Sequence, residues 1–262
     1  MTETLLVERR GTVLWLTLNR PEVRNALNRE LTDALVNAFY AAGMDDDVRA
    51  VVLTAAGEST FCAGADLKEV EGGNTFSVRG GANPLVRVFH AMRTCHKPIV
   101  GRIAGAAFGG GLGLVSACDL VYAADDCRFG TPEVRVGVFP MMITSHLIRQ
   151  LPRRRYWEMA YLGDPLSAAE AQQYALINRA VPRVELDAEV ELVLEKLLQA
   201  SPTALRMGKQ ALDMMQDMTL DQTLAYAEMM IEKLAATDDA REGRAAFAEK
   251  RKPRWMTEAA TK

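Results

Sequence analysis

The chain is short of histidine, of paired cysteine motifs and of net charge, and each shortage removes a class of function. It holds only three histidines and four cysteines in 262 residues. Cys62, Cys95, Cys118 and Cys127 form no C-x-x-C pair, which argues against a disulfide framework or a structural zinc site and for a reducing compartment. His90, His96 and His146 have no spacing that suggests a metal, so no metal site is expected. Lys plus Arg total 31 against 34 Asp plus Glu, a net charge of −3. No global basic field therefore attracts nucleic acid or an anionic membrane, and any anion must be captured locally. The longest stretch without charge, Ile103 to Cys118, is shorter than the roughly 18–20 residues of a membrane span and carries several glycines, so it is expected in the interior. Met1-Thr2-Glu3-Thr4 has an acid where a signal peptide carries basic residues, and no apolar segment follows before Glu8, Arg9 and Arg10. The expected location is cytoplasmic.

Familiar motifs are also missing. No G-K-[ST] ends a loop, and Gly109-x-Gly111 is followed by Leu114 where a dinucleotide fold wants a third glycine. G-x-S-x-G is absent, leaving Ser116 and His146 as a weakly motivated hydrolase dyad.

What is present is a globular composition, 49% hydrophobic and 25% charged, long enough for one large α/β domain or a domain with an appended subdomain. Leu5–Arg9 and Val13–Leu18 flank Arg10-Gly11-Thr12 and read as a β-hairpin. Leu31, Leu35, Val36 and Phe39 recur at helical spacing after Asn28, which suits an N-cap. A strand is expected over Arg49–Ala55, a loop over Glu71–Asn83, a helix from Pro84 to about Arg93 and a buried strand over Pro98–Ala104. A small-residue helix over Gly109–Ala117 and short strands at Leu120–Ala124 and Cys127–Phe129 continue a ββα rhythm. From about Met142 nearly everything has helical period, with capping boxes at Ser167-x-x-Glu170 and Thr219-x-x-Gln222 and an N-cap at Ser201-Pro202. This predicts an α/β core over residues 1–185 and a helical subdomain over 186–262.

Two glycine corners place backbone N–H groups where strand or loop turns into helix, a geometry that binds anions. The first is Phe61–Glu69, where Gly64 permits a tight turn and Ala65 leaves its amide open; the second is Gly105–Gly113. Two such amides on one carbonyl oxygen would make an oxyanion hole, each donor worth about 3 kcal/mol. Close helix–sheet packing is the plainer account of either corner alone.

With their flanks, these corners resemble the crotonase superfamily, the enoyl-CoA hydratase/isomerase family. Leu18–Asn28 looks like its N-terminal CoA-binding loop, Phe61–Glu69 like its A-G-A-D-x-K-E segment, and Lys97-Pro98 through Cys118-Asp119-Leu120 like its K-P-x-I…G-G-G…C-D block. Phe129-Gly-Thr-Pro-Glu133 resembles its F-x-x-P-E segment and Ala246–Pro253 its C-terminal signature. The resemblance implies an α/β crotonase (ClpP-like) ββα spiral core with a C-terminal helical subdomain for oligomerisation and closure of the CoA site. It implies that the amides of Ala65 and Gly110 hold an acyl-CoA carbonyl oxygen as an enolate forms. Arg24, Ala26, Ala63, Asp66 and Lys68 fall at the CoA end, with Asp66 also suited to steadying Ala65 at a helix start. Phe247 and Lys250 would reach a CoA site in a homotrimer or homohexamer. No permanently bound cofactor is implied; coenzyme A arrives as part of the thioester substrate.

Hydratases of this family usually carry two glutamates. Glu133 supplies the second, and Gly113 stands where the first is expected. Burial beside apolar substrate would raise the Glu133 carboxyl, as suits a proton carrier. The family implies addition of water to a 2-enoyl-CoA. A lone glutamate also suits 3-enoyl to 2-enoyl isomerisation, and a non-catalytic acyl-CoA- or macromolecule-binding relative is a third class. Gly113 is expected to open volume for a branched or bulky acyl group, with Phe139, Met141 and Met142 lining an acyl tunnel or simply filling core.

Overall fold

The computed structural model describes residues 3–66, 68 and 82–258. Strand pairs divide themselves between two sheets. In the larger sheet β1 (Leu5–Arg10), β2 (Val13–Leu18), β3 (Ala50–Ala55), β5 (Ile99–Ile103), β7 (Leu120–Ala124) and β10 (Arg179–Val181) lie in that order. Only the β1–β2 hairpin is antiparallel. The second sheet has the order β4 (Thr60–Cys62), β6 (Ala106–Phe108), β8 (Arg128–Gly130), β9 (Leu166–Ser167). Thus β3–β4, β5–β6 and β7–β8 each send their first strand to one layer and their second to the other, the expected ββα spiral.

Helix α1 (Arg29–Met44) starts where Asn28 Oδ1 accepts the Leu31 N–H at 2.9 Å, and it buries Leu31, Leu35, Val36 and Phe39. Helix α2 (Pro84–Thr94) is capped by Asn83 and packs on α1. The α3 helix (Gly110–Ser116) buries six of its seven residues, and α4 (Met141–Gln150) packs against it. After α5 (Arg153–Leu162) and α6 (Ala168–Gln173), α7 (Leu186–Gln199) lays Leu186, Val190, Val193 and Leu194 on the large sheet. The remaining helices, α8 (Pro202–Met215), α9 (Leu220–Ala235), α10 (Asp238–Ala248) and α11 (Arg254–Glu258), follow in series. Both expected capping boxes form, at Ser167 with Glu170 and Thr219 with Gln222. Among the described residues no helix is long and apolar enough to cross a membrane.

Two features differ from the sequence expectation. The strands β9 and β10 interrupt the segment expected to be helical, because two- and three-residue strands leave no periodic signature. β6 occupies Ala106–Phe108, inside what read as a glycine corner. Of the loop expected over 71–83, residues up to 81 lie outside the described residues.

Register decides where chemistry can occur. In the second sheet Cys62 pairs with Ala107, and Phe108 with Gly130, all in parallel strands. The carboxyl ends of three neighbouring strands therefore open onto one edge, the place where open parallel sheets present ligand sites. Leaving that edge are Ala63-Gly64-Ala65 from β4, Gly109-Gly110 from β6, and Thr131-Pro132-Glu133 from β8.

Candidate active site

The first corner is built against the N-terminal loop. Leu27 donates to the Gly64 carbonyl at 2.8 Å and accepts from the Asp66 N–H at 3.0 Å, a parallel bridge centred on Ala65. A residue in that position turns its own N–H to the opposite side. The second corner meets it closely: a methyl carbon placed on Gly64 would lie 3.3 Å from the Gly110 nitrogen and 3.1 Å from the Phe108 carbonyl oxygen. Gly64 and Gly109 have φ of +97° and +52°, conformations that strain any residue with a Cβ. Gly109 donates its N–H to the Gly130 carbonyl at 3.0 Å. Among the described residues, no acceptor meets the N–H of Ala65 or of Gly110.

Glu133 enters from the third strand end. Its turn, Pro132–Val136, is pinned by the fully buried Thr131, whose hydroxyl donates to the Met159 carbonyl at 3.1 Å. A methyl carbon on Gly109 would sit 3.0 Å from Glu133 Oε1, so the carboxylate lies directly against that glycine. Its Oε2 is buried and has no hydrogen-bond partner among the described residues. Burial pushes the carboxyl above its usual range, opposed more weakly by its own backbone N–H. A carboxyl shifted in that direction is better suited to carry a proton than an ordinary one. Cys62, also near this edge, is no rival nucleophile: burial pushes its thiol up to about 12. Ser116 donates to the Gly113 carbonyl at 2.8 Å while His146 packs at a tilt against Phe89, so the hydrolase dyad is not assembled.

The chain matches the family model described as enoyl-CoA hydratase/isomerase over residues 8–258. It belongs to the enoyl-CoA hydratase/isomerase family. It is 35% identical over 254 residues to a probable enoyl-CoA hydratase of Mycobacterium bovis, covering 97% of this chain and 98% of the relative. It is 37% identical over 251 residues to the 2,3-dehydroadipyl-CoA hydratase of Escherichia coli, covering 95% and 97%. A solved enoyl-CoA hydratase of Mycobacterium smegmatis superposes with a TM-score of 0.88 at 34% identity, covering 96% of this chain and 98% of that one.

Within this family member the expected CoA-end residues divide. Arg24 and Ala63 are exposed on adjoining segments, joined by the Ala63 N–H to the Arg24 carbonyl at 3.0 Å, and Lys68 is exposed beside them. Ala26 is buried and its carbonyl faces Arg20. Asp66 is held by Arg20 at 3.0 Å and by the Lys68 N–H at 3.2 Å. The sequence reading missed Arg20; its only signal was its place opening the N-terminal loop motif. Phe247 is 87% exposed on α10, and Lys250 is also exposed in the single chain.

The expectation for Gly113 needs correction. A methyl carbon there would meet Ile143 Cγ2 at 2.5 Å and Phe89 Cζ at 2.8 Å, so the missing side chain leaves no cavity for a branched acyl group. Two apolar residues have taken the space. Phe139 packs edge-on to Tyr161, with ring centres 6.2 Å apart, while Met141 and Met142 open α4 at the surface, 65% and 40% exposed.

Proposed function

We propose that this enzyme adds water to a 2-enoyl-CoA, with Glu133 as its one acid–base group and the Ala65 and Gly110 amides as the oxyanion hole. The observation that carries this is the buried, unpartnered Glu133 Oε2 over a corner whose two amides lack acceptors among the described residues. The Glu133 carboxylate takes a proton from water as the oxygen bonds to C3 of the enoyl group. The electron pair moves onto the thioester oxygen, where each amide stabilises it by about 3 kcal/mol. Protonated Glu133 then delivers its proton to C2 and the carbonyl re-forms, so both added atoms come from one water. Arg24, Ala26, Ala63 and Lys68 lie on the segments suited to the nucleotide end of CoA. No resident cofactor takes part in these steps.

In the single chain α8 and α9 have no buried residue, and Leu212, Leu220, Leu224 and Ile231 are 67%, 73%, 60% and 62% exposed. A set of apolar side chains this large calls for cover, and we assign it to a homotrimer or homohexamer in which Phe247 and Lys250 complete a neighbour's CoA site. The free thiols, three of them buried, support a reducing cytoplasm.

The test is incubation with straight, 3-methyl and carboxylated 2-enoyl- and 3-enoyl-CoAs in heavy-oxygen water. Label in a 3-hydroxyacyl product is the expected result. A shifted double bond without label would replace hydration by isomerisation, and no turnover with any thioester would end the proposal. Sedimentation equilibrium checks the assembly, which a monomer at micromolar concentration would overturn.

A further inference from the structure

Arg20 lies between the loop suited to the nucleotide end of the substrate and the corner that carries the Ala65 amide. Its Nη1 donates to the Ala26 carbonyl at 2.5 Å and to Asp66 Oδ2 at 3.0 Å, with side-chain exposures of only 15% and 13% for the pair. The loop itself is held taut. Arg24 and Asn25 have φ of +55° and +53°, a left-handed conformation that asparagine tolerates and that costs an arginine more. What holds it is fully buried Asn25, whose Nδ2 donates to the Ala56 and Thr60 carbonyls at 2.9 and 3.1 Å and whose Oδ1 accepts the Arg20 N–H at 2.8 Å.

The backbone hydrogen bonds that residues 24–27 make outside the loop end on the oxyanion corner. The Arg24 carbonyl receives the Ala63 N–H, Leu27 grips Gly64 and Asp66 on either side of Ala65, and Asp66 is then tied back through Arg20 to Ala26. A displacement of residues 24–27 cannot leave the Ala65 amide unmoved.

We propose that Arg20 is a positioning residue that converts seating of the nucleotide end of CoA into the correct aim of the Ala65 N–H. This rests on the thioester reading above. Binding energy from a remote part of a substrate is useful when it organises the reacting centre, and then it appears in kcat rather than in KM. The enzyme therefore turns over an enoyl-CoA faster than the matching enoyl-pantetheine thioester, and Arg20 carries that difference.

The experiment uses Arg20→Met, Asp66→Asn and the double variant, which removes both charges and so leaves no lone buried ion. Two readouts are independent of overall stability. The first is the ratio of kcat for crotonyl-CoA to kcat for crotonyl-pantetheine. The second is the infrared stretch of a carbon-13-labelled thioester carbonyl, measured in a Glu133→Gln background that holds substrate without turnover. The expected result is a loss of about tenfold or more in kcat with crotonyl-CoA, a ratio collapsing toward one, and a smaller carbonyl downshift. An unchanged ratio and downshift alongside a lowered melting temperature would reduce Arg20 to a structural tie and overturn the inference. Absence of any downshift in the chain with Arg20 intact would instead sink the oxyanion-hole reading beneath it.

Discussion

Ile143 occupies the space that a side chain at Gly113 would need: its Cγ2 would lie 2.5 Å from a Cβ at that position. Helices α3 and α4 are thus packed around a glycine, with Phe89 of α2 closing the third side. Gly113→Glu on its own should destabilise the fold by roughly 1–3 kcal/mol or more through overpacking. Ile143→Ala alone should cost about 2–5 kcal/mol through the cavity it leaves. Because each change relieves the defect of the other, the paired variant Gly113→Glu/Ile143→Ala should be more stable than the sum of the two predicts. Urea denaturation checks this. The paired variant also places a second carboxylate one helical turn from Gly110, and its hydration rate measures what a second carboxylate adds.

Glu133 links activity to pH and stability with opposite signs. Burial raises its folded carboxyl pKa above the unfolded value, so the native state binds the proton more tightly than the unfolded chain. Stability therefore falls as pH rises from the ordinary carboxylate range through the raised folded value, and the full penalty is present above it. The proposed hydration uses the carboxylate form, so kcat/KM should rise across the same window. With no second carboxyl acid beside Glu133 among the described residues, the profile should have this one limb and no descending limb near neutrality. Glu133→Gln should lose about 10²–10⁴-fold in kcat while melting at a higher temperature than the unsubstituted chain at pH 7. A bell-shaped profile, or a variant that melts lower, would count against this account.

The sequence exposed those parts of the molecule that repeat or that bend the backbone. The stripe from Leu31 to Phe39 and the caps at Asn28, Ser167 and Thr219 were legible because each is a local event within a few residues. The two glycine corners were legible for the same reason. What stayed hidden depends on contacts distant in sequence. Ile143 reaches Gly113 across 30 positions, and nothing local to either residue announces it, so the glycine looked like an opening. Arg20 and Asp66 meet across 46 positions; only Asp66 stood inside a recognisable corner. The strands β9 and β10 exist because β8 and β7 offer open edges, not because three residues prefer to be extended.

Gly109 should tolerate no side chain. Its φ of +52° and ψ of −125° lie in a region that costs an L-residue about 1–3 kcal/mol. A methyl group would also meet Glu133 Oε1 at 3.0 Å. Gly109→Ala should therefore lose stability and displace the carboxylate together. The expected signature is a kcat reduced by at least about tenfold, a larger change than in KM for the thioester, because the added methyl meets the carboxylate directly. A variant that folds and keeps its kcat would place the carboxylate elsewhere during turnover.

The far end of the chain has its own acid dependence. Glu242, on α10, accepts from Arg251 Nη1 and Nη2 at 2.6 and 3.0 Å and from the Arg254 N–H at 2.9 Å. The Arg251 hydrogen bond, followed by the Arg254 N–H, lowers its carboxyl to about 2. A depressed folded value means that its contribution is complete above the ordinary carboxylate range and disappears as pH falls from there toward 2. Phe247 and Lys250 stand between Glu242 and Arg251 in sequence, so this clasp orients the residues proposed to finish a neighbour's CoA site. Glu242→Gln should reduce the loss of α10 hydrogen-exchange protection as pH falls from 4.5 to 2, the span from the ordinary to the lowered value, after correction for intrinsic exchange rates. At neutral pH the same variant should raise KM for an enoyl-CoA while leaving KM for the enoyl-pantetheine thioester unchanged. An equal rise for both would detach α10 from the nucleotide end of the substrate.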